Sequence, residues 1–162
     1  MPITLFGSKQ CVIQVLQSSR TSFFSTTSAT FSDLLTQTIT PSSTTSKILI
    51  MCTGQECTDA GDANTYSQHL LLRDSTSIYI GDASGSALRS SAGRFGRQSD
   101  FMSDAVSFMY MDSPNTTSAI TYKWQTRSTR GPSWRVSVGG TVRTGVDDSR
   151  VPTNMILMEI IG

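Results

Sequence analysis

Residues 120–126 read ITYKWQT. In an extended chain successive side chains point to opposite faces, so Ile120, Tyr122 and Trp124 share one side and Thr121, Lys123 and Gln125 the other. This is the pattern of an antiparallel strand with one face in a core and one in water. Trp134, Val136 and Val138 repeat the alternation, with Arg135 and Ser137 outward. The intervening STRGPS (128–133) holds Gly131-Pro132, a turn signal. The two stretches read as a hairpin in which Tyr122, Trp124 and Trp134 are cross-strand core partners. Core packing is preferred to an aromatic sugar platform because these residues recur with the strand period.

Outward from this hairpin, strand-like runs follow at short spacing. They cover 10–17, 21–27, 33–40, 46–53, 67–74 and 76–80, then 105–111, 117–127, 133–138 and 154–161. Polar, turn-rich segments separate them, as in a sandwich or barrel. Composition agrees. Charged residues are 15% of the 162-residue chain, against about 25% in ordinary soluble domains. Hydroxyl residues take their place, 26 Ser and 22 Thr, which suit turns and pleated surfaces rather than helices. The expectation is an all-β chain, an antiparallel jelly-roll-like β-sandwich, forming a single domain over 1–162. Residues 1–9 read as an N-terminal arm and 81–104 as a long surface loop. In TITPSSTTSKILI (38–50), Pro41 ends a ladder, SSTTS makes a neutral connection, and Ile48, Ile50 and Cys52 begin a core strand.

A net charge of +1 gives no electrostatic reason to expect a nucleic acid or a membrane surface as partner. Near neutrality also leaves little repulsion between copies, which suits an assembly. No apolar run approaches the ~20 residues of a membrane span, so no membrane insertion is expected. The start, MPITLFGSKQCVIQVLQ, does not read as a signal peptide, so folding in a reducing cytoplasm is expected. The three cysteines make no disulfide framework. Cys11 and Cys52 read as small core residues and Cys57 as a turn residue.

The last strand, MILMEII (155–161), is apolar on both faces, and so is FMYM (108–111). Such a strand is buried on both faces. In a two-sheet domain one face meets the core, and a neighbouring subunit or the domain's own loops must cover the other. The subunit face is assigned to Met155, Leu157, Glu159 and Ile161 with Phe108 and Tyr110, Glu159 then needing a partner such as an arginine.

Chemical motifs are weak. His69, the one imidazole, lies in a strand-like HLLLRD with no nucleophile elbow near it, and GDASG (81–85) is not G-x-S-x-G. Nothing has the ligand spacing of a zinc site. Asp59, Asp62 and Asn64 share a turn that could hold calcium but lack the EF-hand order, and hydrogen-bonded turn acids are the better reading. The Gly-rich 81–97 stretch lacks the Gly-Lys-Ser/Thr ending of a phosphate loop. Its Arg89, Arg94, Phe95 and Arg97 are the candidate contacts to a particle or ligand. No enzymatic activity and no cofactor are expected.

TITPSSTTSKILIMC (38–52), LLLRDSTSIYIGDASGS (70–86), AITYKWQTRS (119–128) and ILMEI (156–160) together resemble a family of virion proteins from tailed phages of aquatic bacteria. The likeness runs from about residue 12 to the end. It implies a jelly roll similar in shape to trimeric C1q- and TNF-type knobs. It also implies a homotrimer located on the virion and contacting other virion proteins of capsid or tail. With no coiled-coil or β-helical shaft in the chain, a capsid decoration or accessory knob is expected over a fibre. The alternative is a tail-fibre module recognising host cell-surface glycans. The 1–9 arm and the 81–104 loop do not map onto the family.

Overall fold

A computed structural model describes residues 10–58, 66–93, 103–129, 135–141, 145–146 and 148–161. Among these there are strands, turns and bends but no helix. Two antiparallel sheets pack face to face. The first is built from β1 (Cys11–Arg20), β2 (Phe24–Thr26), β4 (Lys47–Thr58), β8 (Ser103–Asp112), β10 (Val136–Val138) and β11 (Thr153–Ile161). The second holds β3 (Ser32–Ile39), β5 (Ser67–Arg73), β6 (Thr76–Ile78), β7 (Ala92–Gly93) and β9 (Ile120–Ser128). The strand orders β1-β11-β4-β8 and β3-β9-β5-β6 make a jelly-roll sandwich.

The long strand β4 is the spine of the first sheet. One edge pairs with β11 over Lys47–Thr53 and then with β10 over Glu56–Thr58, while the other pairs with β8 along Ile48–Cys57. Cys57 is therefore a buried strand residue rather than a turn residue. Cys11, expected inside, is exposed at the start of the edge strand β1. None of the three cysteines forms a disulfide, and burial pushes the Cys52 thiol far up.

The alternation of residues 120–126 holds, with Ile120, Tyr122 and Trp124 buried. Their partners differ from expectation. β9 pairs with β3 on one side and β5 on the other, so it is a central strand, and β10 lies in the opposite sheet. The expected 120–138 hairpin does not form. The two segments belong to opposite sheets instead. Trp134 lies outside the described residues.

The core fills the space between the sheets. Trp124, fully buried, meets Phe108 edge-on at 5.4 Å between centroids. Around it lie Ile39, Ile48, Ile50, Cys52, Leu71, Tyr122, Met155 and Leu157. Gly54 makes room for the indole. A Cβ there would stand 3.3 Å from Trp124 Cη2 and 3.1 Å from Thr153 Cγ2, so any side chain at 54 requires these packed neighbours to give way. Gly54→Val is expected to lose about 1–3 kcal/mol of stability through overpacking, measured by urea unfolding, with altered tryptophan emission in the folded state.

Candidate functional site: an apolar sheet face

Both outer faces of the sandwich can be read from the ladder registers. Directly opposed residues share a face. On the first sheet one outward row runs Val15, Met158, Leu49, Met111 across β1, β11, β4 and β8. The next runs Gln17, Ile156, Met51, Met109. Ile160 and Val12 extend it toward one end, where Lys47 stands at the rim with its ammonium on Ser113 Oγ at 2.6 Å. Seven of the eight side chains in the two full rows are apolar and none is charged. Val15 is 57% exposed, Met109 59% and Met111 44%. Four strands about 4.8 Å apart carry the two full rows over roughly 260 Å² in plan, and Val12 and Ile160 enlarge the apolar area toward the Lys47 rim. That is the scale at which an apolar patch on a folded chain marks an interaction site.

The rows beyond turn polar. Gln17 Nε2 donates to Ser19 Oγ at 2.8 Å and to Asn154 Oδ1 at 3.0 Å, and Ser19 Oγ donates to the same oxygen at 2.8 Å. The second sheet's outer face is different in kind. Thr121, Lys123, Gln125 and Arg127 face out from β9 beside Thr38, Asp33 and Gln68. They are joined by Thr38–Thr121 at 2.8 Å, Gln125 to Asp33 at 2.6 Å and Arg127 to Gln68 at 2.7 Å. Leu70 and Leu72 are its half-buried apolar members.

The doubly apolar strands thus exist, but the residues assigned to the subunit face lie on the other side. Met155 and Leu157 are fully buried in the core, and Phe108 and Tyr110 also turn inward. Ile161 is half-buried at the strand end. Glu159 is buried and, among the described residues, has no arginine beside it. Its Oε1 accepts from the Ser42 N–H at 2.6 Å, the Ser42 hydroxyl at 2.7 Å and the Ser46 hydroxyl at 2.7 Å. Burial alone would raise this carboxyl. The hydrogen bonds from Ser46 and Ser42 outweigh it and hold the group below its ordinary range. The hydroxyl run between β3 and β4 thereby has a physical role, since it solvates a carboxylate with neutral donors. Any subunit contact on β11 and β8 falls on Ile156, Met158, Ile160, Met109 and Met111.

Two further buried carboxylates close the sandwich. Asp112 accepts from Tyr122 Oη at 2.6 Å and from Arg73 Nη1 at 3.1 Å on each oxygen. Burial and the neighbouring Asp112 push the Tyr122 phenol up. Glu56 Oε2 meets Ser67 Oγ and His69 Nε2, both at 2.6 Å, while Trp124 Nε1 donates to His69 Nδ1 at 3.1 Å. Indole is a donor only, so His69 is protonated at Nε2 and bonds Glu56 through that proton. The serine hydroxyl is turned to the acid, not to the imidazole, and all four side chains are buried. This Ser–Glu–His group has the membership of a hydrolytic triad without its connectivity.

Of the candidate loop residues, Arg89 is exposed and its Nε donates to the Gly81 carbonyl at 2.6 Å. Arg94, Phe95 and Arg97 lie outside the described residues, as do Asp59, Asp62, Asn64 and the 1–9 arm. Part of the 81–104 segment is ordered against the sandwich, because β7 pairs with β5 at Gln68 and His69. No protein-family model matches the chain, and no curated protein matches it either.

Because its carboxyl is held low, Glu159 contributes stability above its unfolded pKa, and that contribution is lost as the pH falls through the lower folded value. Glu159→Gln should cost on the order of 1 kcal/mol at pH 7. The gap to wild type should narrow in melts below about pH 4, once the unfolded carboxyl is protonated.

Proposed function

We propose that this chain is a non-enzymatic structural protein of a phage virion. On this reading it works as a homotrimer that decorates the capsid or sits as an accessory knob, with the apolar face of the first sheet covered by neighbouring copies. One observation carries the reading: the sandwich is two-faced. One sheet turns an uncharged surface of methionine, valine, leucine and isoleucine outward, and the other turns out hydrogen-bonded polar pairs. Water is a costly neighbour for the first face, at about 25 cal/mol for each Å² of apolar surface left uncovered.

A second copy is a fitting cover. The two full rows bear no charge and Lys47 stands only at the rim, so the centres of two copies meet without like-charge repulsion, and unbranched methionines adapt to a symmetric contact. Placement on a virion, the trimeric state and contact with other virion proteins rest on the resemblance of the quoted sequence phrases to phage virion proteins. The non-enzymatic reading is supported by the burial and full engagement of the one imidazole.

Light scattering at micromolar concentration should give three times the mass of the 17.6 kDa chain. Met158→Asp, a charge at the centre of the face, should give a folded single chain. Binding of the trimer to empty capsids in a sedimentation assay is the expected result for decoration. A monomeric wild type would overturn the assembly, and a trimer that ignores capsids would move the proposal to the tail.

A further inference from the structure

Tyr79 holds a backbone conformation that aromatic residues avoid. Its φ is +51°, in the left-handed region, and the other described non-glycine residues of that sign are Asp74 and Asn115, both ordinary turn formers. A bulky residue kept there calls for an account of what the ring does. Packing gives part of one. The ring stacks on Tyr110 at 5.1 Å between centroids and lies 6.5 Å from Phe108, closing the side of the sandwich beside β8. Yet Tyr79 remains 44% exposed, where a plug for the core would be covered.

The ring borders an open depression of about 260 Å³, lined also by Ile80, Gly81, Ser90 and Ser91. Its walls are tied together. The Gly81 N–H donates to the Ser90 carbonyl at 3.3 Å, and Arg89 Nε donates to the Gly81 carbonyl at 2.6 Å. The Ser91 hydroxyl donates to the Ile78 carbonyl at 3.3 Å and accepts the Leu71 N–H at 2.8 Å. A preformed hollow with one aromatic wall and a few fixed polar groups is the usual form of a small-ligand site.

We infer that this depression is a carbohydrate subsite, taking one pyranose ring of a neutral polysaccharide across the exposed part of Tyr79. A pyranose has an apolar C–H face and a rim of hydroxyls. The first fits an aromatic plane backed by a second ring, which Tyr110 supplies. The second needs donors and acceptors at the edge. Ser90 lines the depression and Arg89 precedes it in the chain, and among the described residues the Arg89 Nη groups and the Ser90 hydroxyl have no hydrogen-bond partner. Exposed Asp82 and Arg89 carry opposite charges in the same loop, which gives no net pull on an anionic sugar. The site is separate from the assembly face, because Tyr110 turns inward from β8 while Met109 and Met111 turn outward. It therefore stands whether or not the chain forms a trimer.

The test is an array of neutral bacterial polysaccharide fragments probed with the full chain, followed by saturation-transfer NMR on any fragment bound. Tyr79→Asn is the informative variant, since Asn tolerates left-handed φ while removing the ring. The expected result is binding of at least one fragment, weakened tenfold or more by Tyr79→Asn and several-fold by Arg89→Ala, with melting temperatures close to wild type. A wild-type chain that binds no fragment overturns the subsite, and so does binding that Tyr79→Asn leaves unchanged. Should Tyr79→Asn melt early, Arg89→Ala decides, and an unchanged signal there overturns the subsite.

Discussion

A two-layer sandwich can bury one face of each strand, and β11 and β4 are apolar on both. Met155, Leu157, Ile50 and Cys52 go inward, and Met158, Ile156, Leu49 and Met51 go outward in the same register. The inward set makes the core. The outward set has nothing of its own sheet to rest on, and the edge strands β1 and β8 widen it with Val15, Met109 and Met111 instead of bounding it with charge. Edge strands of solitary proteins usually carry lysine, proline or a strong bulge to discourage company. Here β1 has one bulge, between Val12 and Gln14, and β8 pairs with β4 without a register shift along its whole length. The surface is built as if to be covered.

The polar interior follows a complementary rule. Glu159, Asp112 and Glu56 are all buried, and hydroxyl groups take part in satisfying each of them. A chain with few charges thereby keeps its buried carboxylates without committing an arginine to every one. The serine- and threonine-rich composition is the surface expression of the same economy. Side-chain pairs such as Thr38–Thr121 hold the outer ladder of the second sheet where other proteins would place ion pairs.

Much of this was legible in the sequence. Period-two alternation marked β9 and the long strands to within a few residues, because the burial of one face writes itself directly into the residue order. The two-faced apolarity of 155–161 was equally plain. What the sequence could not convey was partnership. β9 and β10 look like hairpin neighbours, yet they belong to different sheets, since period-two alternation reports which face of a strand is buried and not which strand lies alongside it. The inward face of β11 was misassigned for a related reason. Glu159 reads in sequence as an interface residue in need of an arginine, and only the folded register brings Ser42 and Ser46 to it. β7, two residues long, carries no pattern, and the strained Tyr79 gives no sign in the sequence of its left-handed backbone.

The most direct test of the covered face is oxidation footprinting of its methionines. The intact protein is exposed briefly to hydrogen peroxide at micromolar concentration, and Met109, Met111 and Met158 are read by mass spectrometry against the same chain unfolded in urea. If neighbouring copies cover the face, these thioethers oxidise far more slowly in the folded protein, and their forced oxidation breaks the assembly into single chains. If Met109 and Met111 oxidise at the rate of the unfolded chain while the fold stays intact, the face is open to water and the account of it as an assembly surface is wrong.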